Sequence, residues 1–229
     1  MPKAVLCWSG GKDSARALYE ILGGQYEVVS LLTTVTRDYE RVSMHGVRTA
    51  LVEEQARSLN LPLEKVFISA GASDAEYETQ MRDKLEAFKD RGVSSVIFGD
   101  IFLEDLRKYR EDKLAQVGMR GVFPLWKRDT SELARSFIEL GFKAVTTCVD
   151  SRLLDESFVG RLIDEAFLAS LPPGVDPCGE NGEFHSFVFD GPTFDNPVRF
   201  ETGEKVLRES FYFCDLVPTG TSVPTLTRR

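Results

Sequence analysis

The nine residues CWSGGKDSA, Cys7 to Ala15, constrain this chain more than any other stretch. They follow directly on the apolar run Ala4-Val5-Leu6 and lead into a segment with helical spacing, so they read as the turn from a strand into a helix. Glycine leaves backbone N–H groups unshielded, a helix N-terminus presents the positive end of its dipole, and Lys12 adds a full charge. Together these make a seat for a phosphate. Ser9 and Ser14 add hydroxyl donors around Gly10 and Gly11. Asp13 has two readings, as a ligand for Mg2+ among phosphate oxygens or as a cap of the helix. A Walker A loop is excluded, because Leu6 stands five residues before Gly11 and Asp13 follows Lys12. The dinucleotide pattern G-x-G-x-x-G is excluded because Gly10 and Gly11 are adjacent.

Apolar runs at Ala4 to Leu6, Glu27 to Val35, Lys65 to Ser69 and Ser95 to Phe98 alternate with amphipathic stretches. That rhythm predicts a parallel sheet with helices on both faces. The first helix is predicted to start at Asp13 or Ser14, to bury Ala17, Leu18, Ile21 and Leu22, and to end at Gly23-Gly24. The third begins with a capping box, Ser73 and Glu76, and carries the apolar line Tyr77, Met81, Leu85, Phe88, read as core packing. From about Gly121 the pattern changes. A helix capped by Asp129 and Glu132 ends at Gly141, the strand KAVTTCV follows, and a further helix from Asp155 is predicted to align Phe158, Leu162, Ile163 and Phe167. The segment LPPGVDPCGENGEFHSFVFDGPTFDNP reads as long turns joining short strands, a type of segment that is often functional. The division predicted is an α/β domain over residues 1–125, a smaller α+β lobe over 126–218 and a loose tail over 219–229.

Four widely separated cysteines without C-x-x-C spacing exclude a zinc knuckle or a disulfide framework as a reading of the pattern. A net charge of −8 argues against broad attraction to a polyanion, so a tRNA substrate is disfavoured. No run approaches the roughly 20 apolar residues of a membrane span, and MPKAVLCWSGG is too short for a signal peptide, which predicts a cytoplasmic protein.

The hexapeptide SGGKDS, Ser9 to Ser14, resembles the PP-loop of the N-type ATP pyrophosphatases. That resemblance implies a HUP-like, Rossmann-like domain that grips the terminal phosphates of ATP, with attack at the α-phosphate leaving an adenylate and pyrophosphate. Three further stretches resemble the diphthine-ammonia ligase family, which amidates the diphthine carboxylate of elongation factor 2. In IFGDIFLEDLRKYREDKLAQVGMRGVFPLW the family's glycine, arginine, glutamate and apolar ending are matched by Gly99, Arg107, Glu111 and Leu125-Trp126. Without the resemblance, Arg107 and Glu111 read as an i, i+4 surface pair worth a few tenths of a kcal/mol. GENGEFHS, Gly179 to Ser186, is similar to the family's GEGGEYET: Glu180, Gly182 and Glu183 match, and Asn181, Phe184, His185 and Ser186 depart, as in bacterial-looking relatives. RVSMHGVR, Arg41 to Arg48, stands after the second strand, at the sheet edge where open α/β sheets bind ligands. The only two histidines, His45 and His185, both fall in these segments.

The resemblance implies an AMP-forming carbon–nitrogen ligase using ATP, Mg2+, ammonia and a carboxylate acceptor. Ser9 to Ser14 and Gly99 would hold the nucleotide, and Lys12, Asp13, Glu180 and Glu183 would carry catalysis, with Asp13 on the metal. His45, Arg48, Arg107, Glu111, Gly182 and His185 would contact the acceptor. Two alternatives stay open: a tRNA-directed or small-molecule ATP pyrophosphatase, and a nucleotide sensor without turnover. A homodimer is the default oligomer.

Overall fold

The computed structural model describes residues 1–43 and 45–219, so the predicted tail falls almost wholly outside the described residues. Six strands form the first sheet: β1 (Lys3–Cys7), β2 (Glu27–Thr36), β3 (Arg41–Val42), β4 (Leu63–Ile68), β5 (Val93–Ile97) and β6 (Arg120–Val122). The parallel strands run in the order β4-β2-β1-β5-β6. The order reverses between β1 and β5, which makes the loops after those two strands the walls of the switch-point crevice.

Side chains alternate across this sheet into two packed layers. Ala4, Leu6, Leu31 and Ile97 face a core shared with the first two helices, α1 (Lys12–Ile21) and α2 (Thr49–Ser58). Val5, Leu32, Val93 and Val96 face the opposite layer, closed by Leu85 and Phe88 of α3 (Asp74–Asp90) and Leu114 of α4 (Glu104–Gln116). The capping box is present, Ser73 Oγ accepting the Glu76 N–H at 3.2 Å. Leu22, predicted to be buried, is 58% exposed, because α1 stops at Ile21 and the chain turns away through Gly24 at φ +118.

The second sheet is antiparallel, in the order β8-β7-β10-β9, built from β7 (Lys143–Asp150), β8 (Phe184–Asp190), β9 (Phe200–Arg208) and β10 (Phe211–Pro218). The helix α5 (Thr130–Glu139), capped by Asp129 as predicted, packs Leu133 and Phe137 into the same core that α1 lines. One continuous core therefore joins both sheets. The helix predicted from Asp155 is instead a 3₁₀ turn, Glu156–Phe158, and a separate short helix α6, Glu165–Ser170. Gly160 at φ +77 breaks the run, Leu162 bridges Val145 in a strand contact, and its side chain is 51% exposed.

Strand β2 outlasts β1, whose last pair is Cys7 with Leu32. β4 occupies one edge of β2 from Leu31 to Thr36, so β3, paired with Val35 and Thr36, takes the other edge, in line with β1 and beyond its end. The segment that begins at Arg41 thus sits on the edge of β2 beyond the last residue of β1. It is clasped to the second sheet by Asp215 of β10, which accepts from Arg41 Nη1 at 2.9 Å, Arg48 Nε at 3.1 Å and Arg48 Nη2 at 2.6 Å. Gly46 permits this seating, since a Cβ there would stand 3.1 Å from the Phe213 ring.

The Arg48 hydrogen bonds, with those of Arg41, hold the Asp215 carboxyl down to about 2 against the opposing effect of burial. A carboxyl depressed in the folded state contributes stability above its unfolded pKa and loses it as pH falls through the folded value. Asp215→Asn should therefore cost about 1–2 kcal/mol at neutral pH, discounted for the partial exposure of the arginines. Urea titrations should show the gap between the two proteins closing as pH drops from the ordinary aspartate value towards 2; a gap independent of pH would contradict the clasp.

Candidate active site

After β1 the chain passes through the buried Trp8, turns at Gly10 with φ +81, and enters α1 with Gly11 as its cap residue in extended conformation. Gly11 has no side chain to cap the helix, so neighbours supply the acceptors. Ser9 Oγ accepts the Gly11 N–H at 3.2 Å and Ser186 Oγ of β8 accepts the Lys12 N–H at 3.1 Å; Ser14 Oγ, by contrast, is a donor, to the Gly11 carbonyl at 2.9 Å. A fully buried glutamine on α2 fixes the turn. Gln55 Nε2 donates to Gly10 O at 2.9 Å and to Val188 O at 2.6 Å, while its Oε1 accepts Trp8 Nε1–H at 2.9 Å. The Val188 N–H adds a second bond to Gly10 O, at 2.9 Å. A Cβ on Gly10 would stand 2.8 Å from Gln55 Oε1, and one on Gly99 would stand 2.8 Å from the Asp13 carbonyl carbon. Both glycines are thus required for close approach, Gly99 letting the end of β5 touch the head of α1.

Lys12 lies beneath the loop, 4% exposed, with its ammonium 5.6 Å from the centroid of the Phe184 ring and 2.7 Å from both Asp13 oxygens. Burial pushes the ammonium down, but Asp13 beside it and Cys178 and Glu180 opposite outweigh that and hold it above its ordinary value. Burial raises Asp13 in spite of Lys12.

The turn GENGEFHS faces this lysine, and its two glutamates have different surroundings. Glu183, 2% exposed, accepts from the Asp176 N–H at 3.0 Å, the Asn181 N–H at 3.0 Å and Asn181 Nδ2 at 2.9 Å, all within its own turn. Gly182 closes that turn at φ +89. Glu180 instead reaches across to the loop after β5, its Oε1 accepting the Ile101 N–H at 2.7 Å and the Phe102 N–H at 3.2 Å. Burial pushes the Glu180 carboxyl up to about 7, helped by the charge of Asp13 and opposed by the two N–H groups and Lys12.

His45, on the loop beyond β3, and His185, near the start of β8, come from distant parts of the chain and meet with ring centroids 4.5 Å apart and planes tilted by 39°. Burial, and for each the nearby Lys12, lowers them to about 4 and about 3, the second also through the first. Both are neutral imidazoles at physiological pH, able to exchange hydrogen bonds without adding charge.

Ser9 to Ser14, Gly99, Glu180, His45 and His185 therefore converge around Lys12. Arg48 is committed to Asp215. Arg107 and Glu111 pair with each other at 2.8 Å on α4, the guanidinium lying 4.6 Å from the Phe123 ring and 4.5 Å from Trp126, where it clamps the stretch after β6. Among the described residues no group of three histidine, cysteine or acidic side chains could hold a metal ion, and both Asp13 oxygens are taken by Lys12. Asp13, the expected metal ligand, pairs with Lys12 while its side chain stays 33% exposed. Sequence reading missed Trp8, Gln55 and Ser186. Only Gln55 left a signal, a polar residue on the apolar helix face of Leu51, Val52 and Leu59.

The family model for the diphthamide synthase N-terminal domain matches residues 1–121, and that for the C-terminal domain matches residues 129–219. A human protein named diphthine–ammonia ligase is 23% identical over 230 residues, covering 90% of this chain and 85% of its own. One of the same name from Danio rerio is 25% identical, with 90% and 89% covered. A Schizosaccharomyces pombe relative, 23% identical, is much longer, and only 38% of it is matched. A solved chain described as a predicted tRNA methyltransferase subunit from Methanocaldococcus jannaschii aligns with TM-score 0.45 at 16% identity, covering 62% of this chain and 80% of its own. With both domain models matched across almost its whole length, the chain belongs to the diphthamide synthase family.

Proposed function

We propose that this protein is an ATP-dependent amide ligase that adenylates a carboxylate and transfers ammonia to it, releasing AMP and pyrophosphate. The observation that carries the reading is the convergence on Lys12 of a bare glycine loop, a helix N-terminus and a turn from the second sheet, in a member of the diphthamide synthase family. The relatives' name, diphthine–ammonia ligase, supports ATP and ammonia as co-substrates and a diphthine carboxylate as acceptor, and our reading places that diphthine on elongation factor 2.

In this reading the triphosphate lies over Gly10 to Ser14, and Lys12 meets charge that develops as pyrophosphate leaves, where a preorganised cation is most effective. Mg2+ arrives with the nucleotide on its phosphate oxygens, and no protein cage is needed. The acceptor enters between the PP-loop and the GENGEFHS turn, with the neutral pair His45 and His185 as its contact surface. The domain pairing is nucleotide on residues 1–125 and acceptor on 126–218. The dense core about α1 and β8 keeps water from the adenylate so that ammonia is the nucleophile.

Incubation with ATP, magnesium, ammonium and diphthine-bearing elongation factor 2 should yield AMP and pyrophosphate in step with amide, and Lys12→Ala should lower the rate about 10²–10³-fold. Production of ADP and phosphate alone would refute the reading. Gly99→Ala, which drives a Cβ into the Asp13 backbone, should weaken ATP binding about tenfold by calorimetry. Gly23→Ala, whose Cβ meets nothing nearer than 3.7 Å, is the control and should bind ATP normally.

A further inference from the structure

Glu180 and Glu183 stand three residues apart, yet only one has a free oxygen at the crevice. Each oxygen of Glu183 accepts a hydrogen bond from its own turn, and the side chain is sealed from solvent. Glu180 directs both its hydrogen bonds to Oε1. Among the described residues its Oε2 has no hydrogen-bond partner, and it is not one of their fully buried unpaired polar atoms, so it is open to a ligand. The residue spans from the second sheet's turn to the loop after β5, one wall of the switch-point crevice, and the PP-loop forms the other.

The charged groups around it define what Oε2 can receive. From α1 come Lys12 and Asp13, bound to each other and so nearly neutral as a pair. From its own turn come Asp176, whose Oδ1 accepts the Glu180 N–H at 3.2 Å, and Cys178, whose thiol burial holds protonated at about 12. From the loop after β5 come the two N–H groups and Asp100, whose carboxylate is paired with Arg110 of α4. A small cation with several N–H donors suits a carboxylate oxygen in this setting, and an anion does not.

We propose that Glu180 Oε2 binds the ammonium ion and takes its proton, making Glu180 the base of the ammonia half-reaction, with Glu183 a scaffold of the turn. This deepens the ligase reading and rests on it. The proton of ammonium passes to the carboxylate, leaving ammonia. The nitrogen lone pair forms the C–N bond at the acyl carbon, and the C–O bond to AMP breaks with its electron pair. The departing phosphate takes the second proton, and Glu180 returns its own to solvent. Its raised ionisation, about 7, suits a base at neutral pH.

Glu180→Gln keeps an oxygen for the Ile101 and Phe102 N–H groups while removing the base. With diphthine-bearing elongation factor 2 as acceptor, ATP–pyrophosphate exchange should stay within about twofold of the unaltered enzyme, whereas ammonium-dependent amide formation at pH 7 should fall about 10²–10³-fold. The defect should shrink as pH rises and solution supplies free ammonia, and hydroxylamine, already unprotonated at neutral pH, should restore turnover. Equal loss of exchange and amidation, or a defect indifferent to pH and hydroxylamine, would overturn the assignment. Absence of exchange in the unaltered enzyme would instead remove the ligase reading itself.

Discussion

The glycine loop at the head of α1 is held by one buried amide. Gln55 sits in the middle of α2 with no solvent contact, where an unpaired amide would cost several kcal/mol, and each bond it makes joins a different part of the chain. It takes the Trp8 indole N–H from the end of β1, and it gives its two hydrogens to Gly10 in the loop and Val188 in the second sheet. Two donors, Gln55 and the Val188 N–H, draw the Gly10 carbonyl into the protein. In a trans peptide the next N–H then points the other way, so the loop's donors are turned towards Ser9 and the open side. The shape of the loop proposed to seat the phosphates is therefore set by residues near 10, 55 and 188, although its signature is confined to the first.

That separation explains what could be read in the sequence. The strand, loop and helix from Ala4 to Ile21 were legible because their constraints are local: apolar alternation, adjacent glycines and a lysine at the turn. The caps of Ser73 and Asp129 were legible for the same reason, an acceptor three residues before the N–H that it serves. Ser186 was not. Its hydroxyl caps Lys12 from 174 residues away, and in sequence it is only one polar residue in a strand. The helix expected from Asp155 failed because apolar spacing cannot weigh Gly160, whose left-handed backbone brings the chain against Cys214 and ends the turn. The histidines lay between these cases. Their segments were noticed, but their ring contact depends on β3 lying beyond the end of β1, a matter of strand length.

The two glutamates of GENGEFHS show how a motif can carry unlike roles. Gly179 and Gly182, both left-handed, fold the turn back so that Glu183 meets N–H groups of its own loop and is consumed by them. The same reversal directs Glu180 outwards to Ile101 and Phe102. A carboxylate that accepts three internal hydrogen bonds is part of the scaffold, and one that bridges two elements with an oxygen to spare is available for chemistry. The spacing of the letters is the same under either assignment; only the hydrogen-bond partners distinguish them.

The net charge of −8 sharpens what Lys12 must do. Its ammonium is buried against Asp13, with Glu180 and Cys178 near enough to raise its pKa, so the site as it stands is not an electropositive trap waiting for any anion. Taking Asp13 away would leave a buried ammonium unpaired, a cost that the 33% exposure of the Asp13 side chain moderates. A phosphate that claims Lys12 must therefore replace the Asp13 carboxylate rather than add to it. A singly charged anion offers no more than Asp13 already gives. A triphosphate brings several charges and a run of oxygens that can also meet the loop N–H groups and the serine hydroxyls, so it repays the exchange where smaller anions do not. In the proposed ligase, selectivity for the terminal phosphates of ATP would follow from the ion pair that the loop already contains.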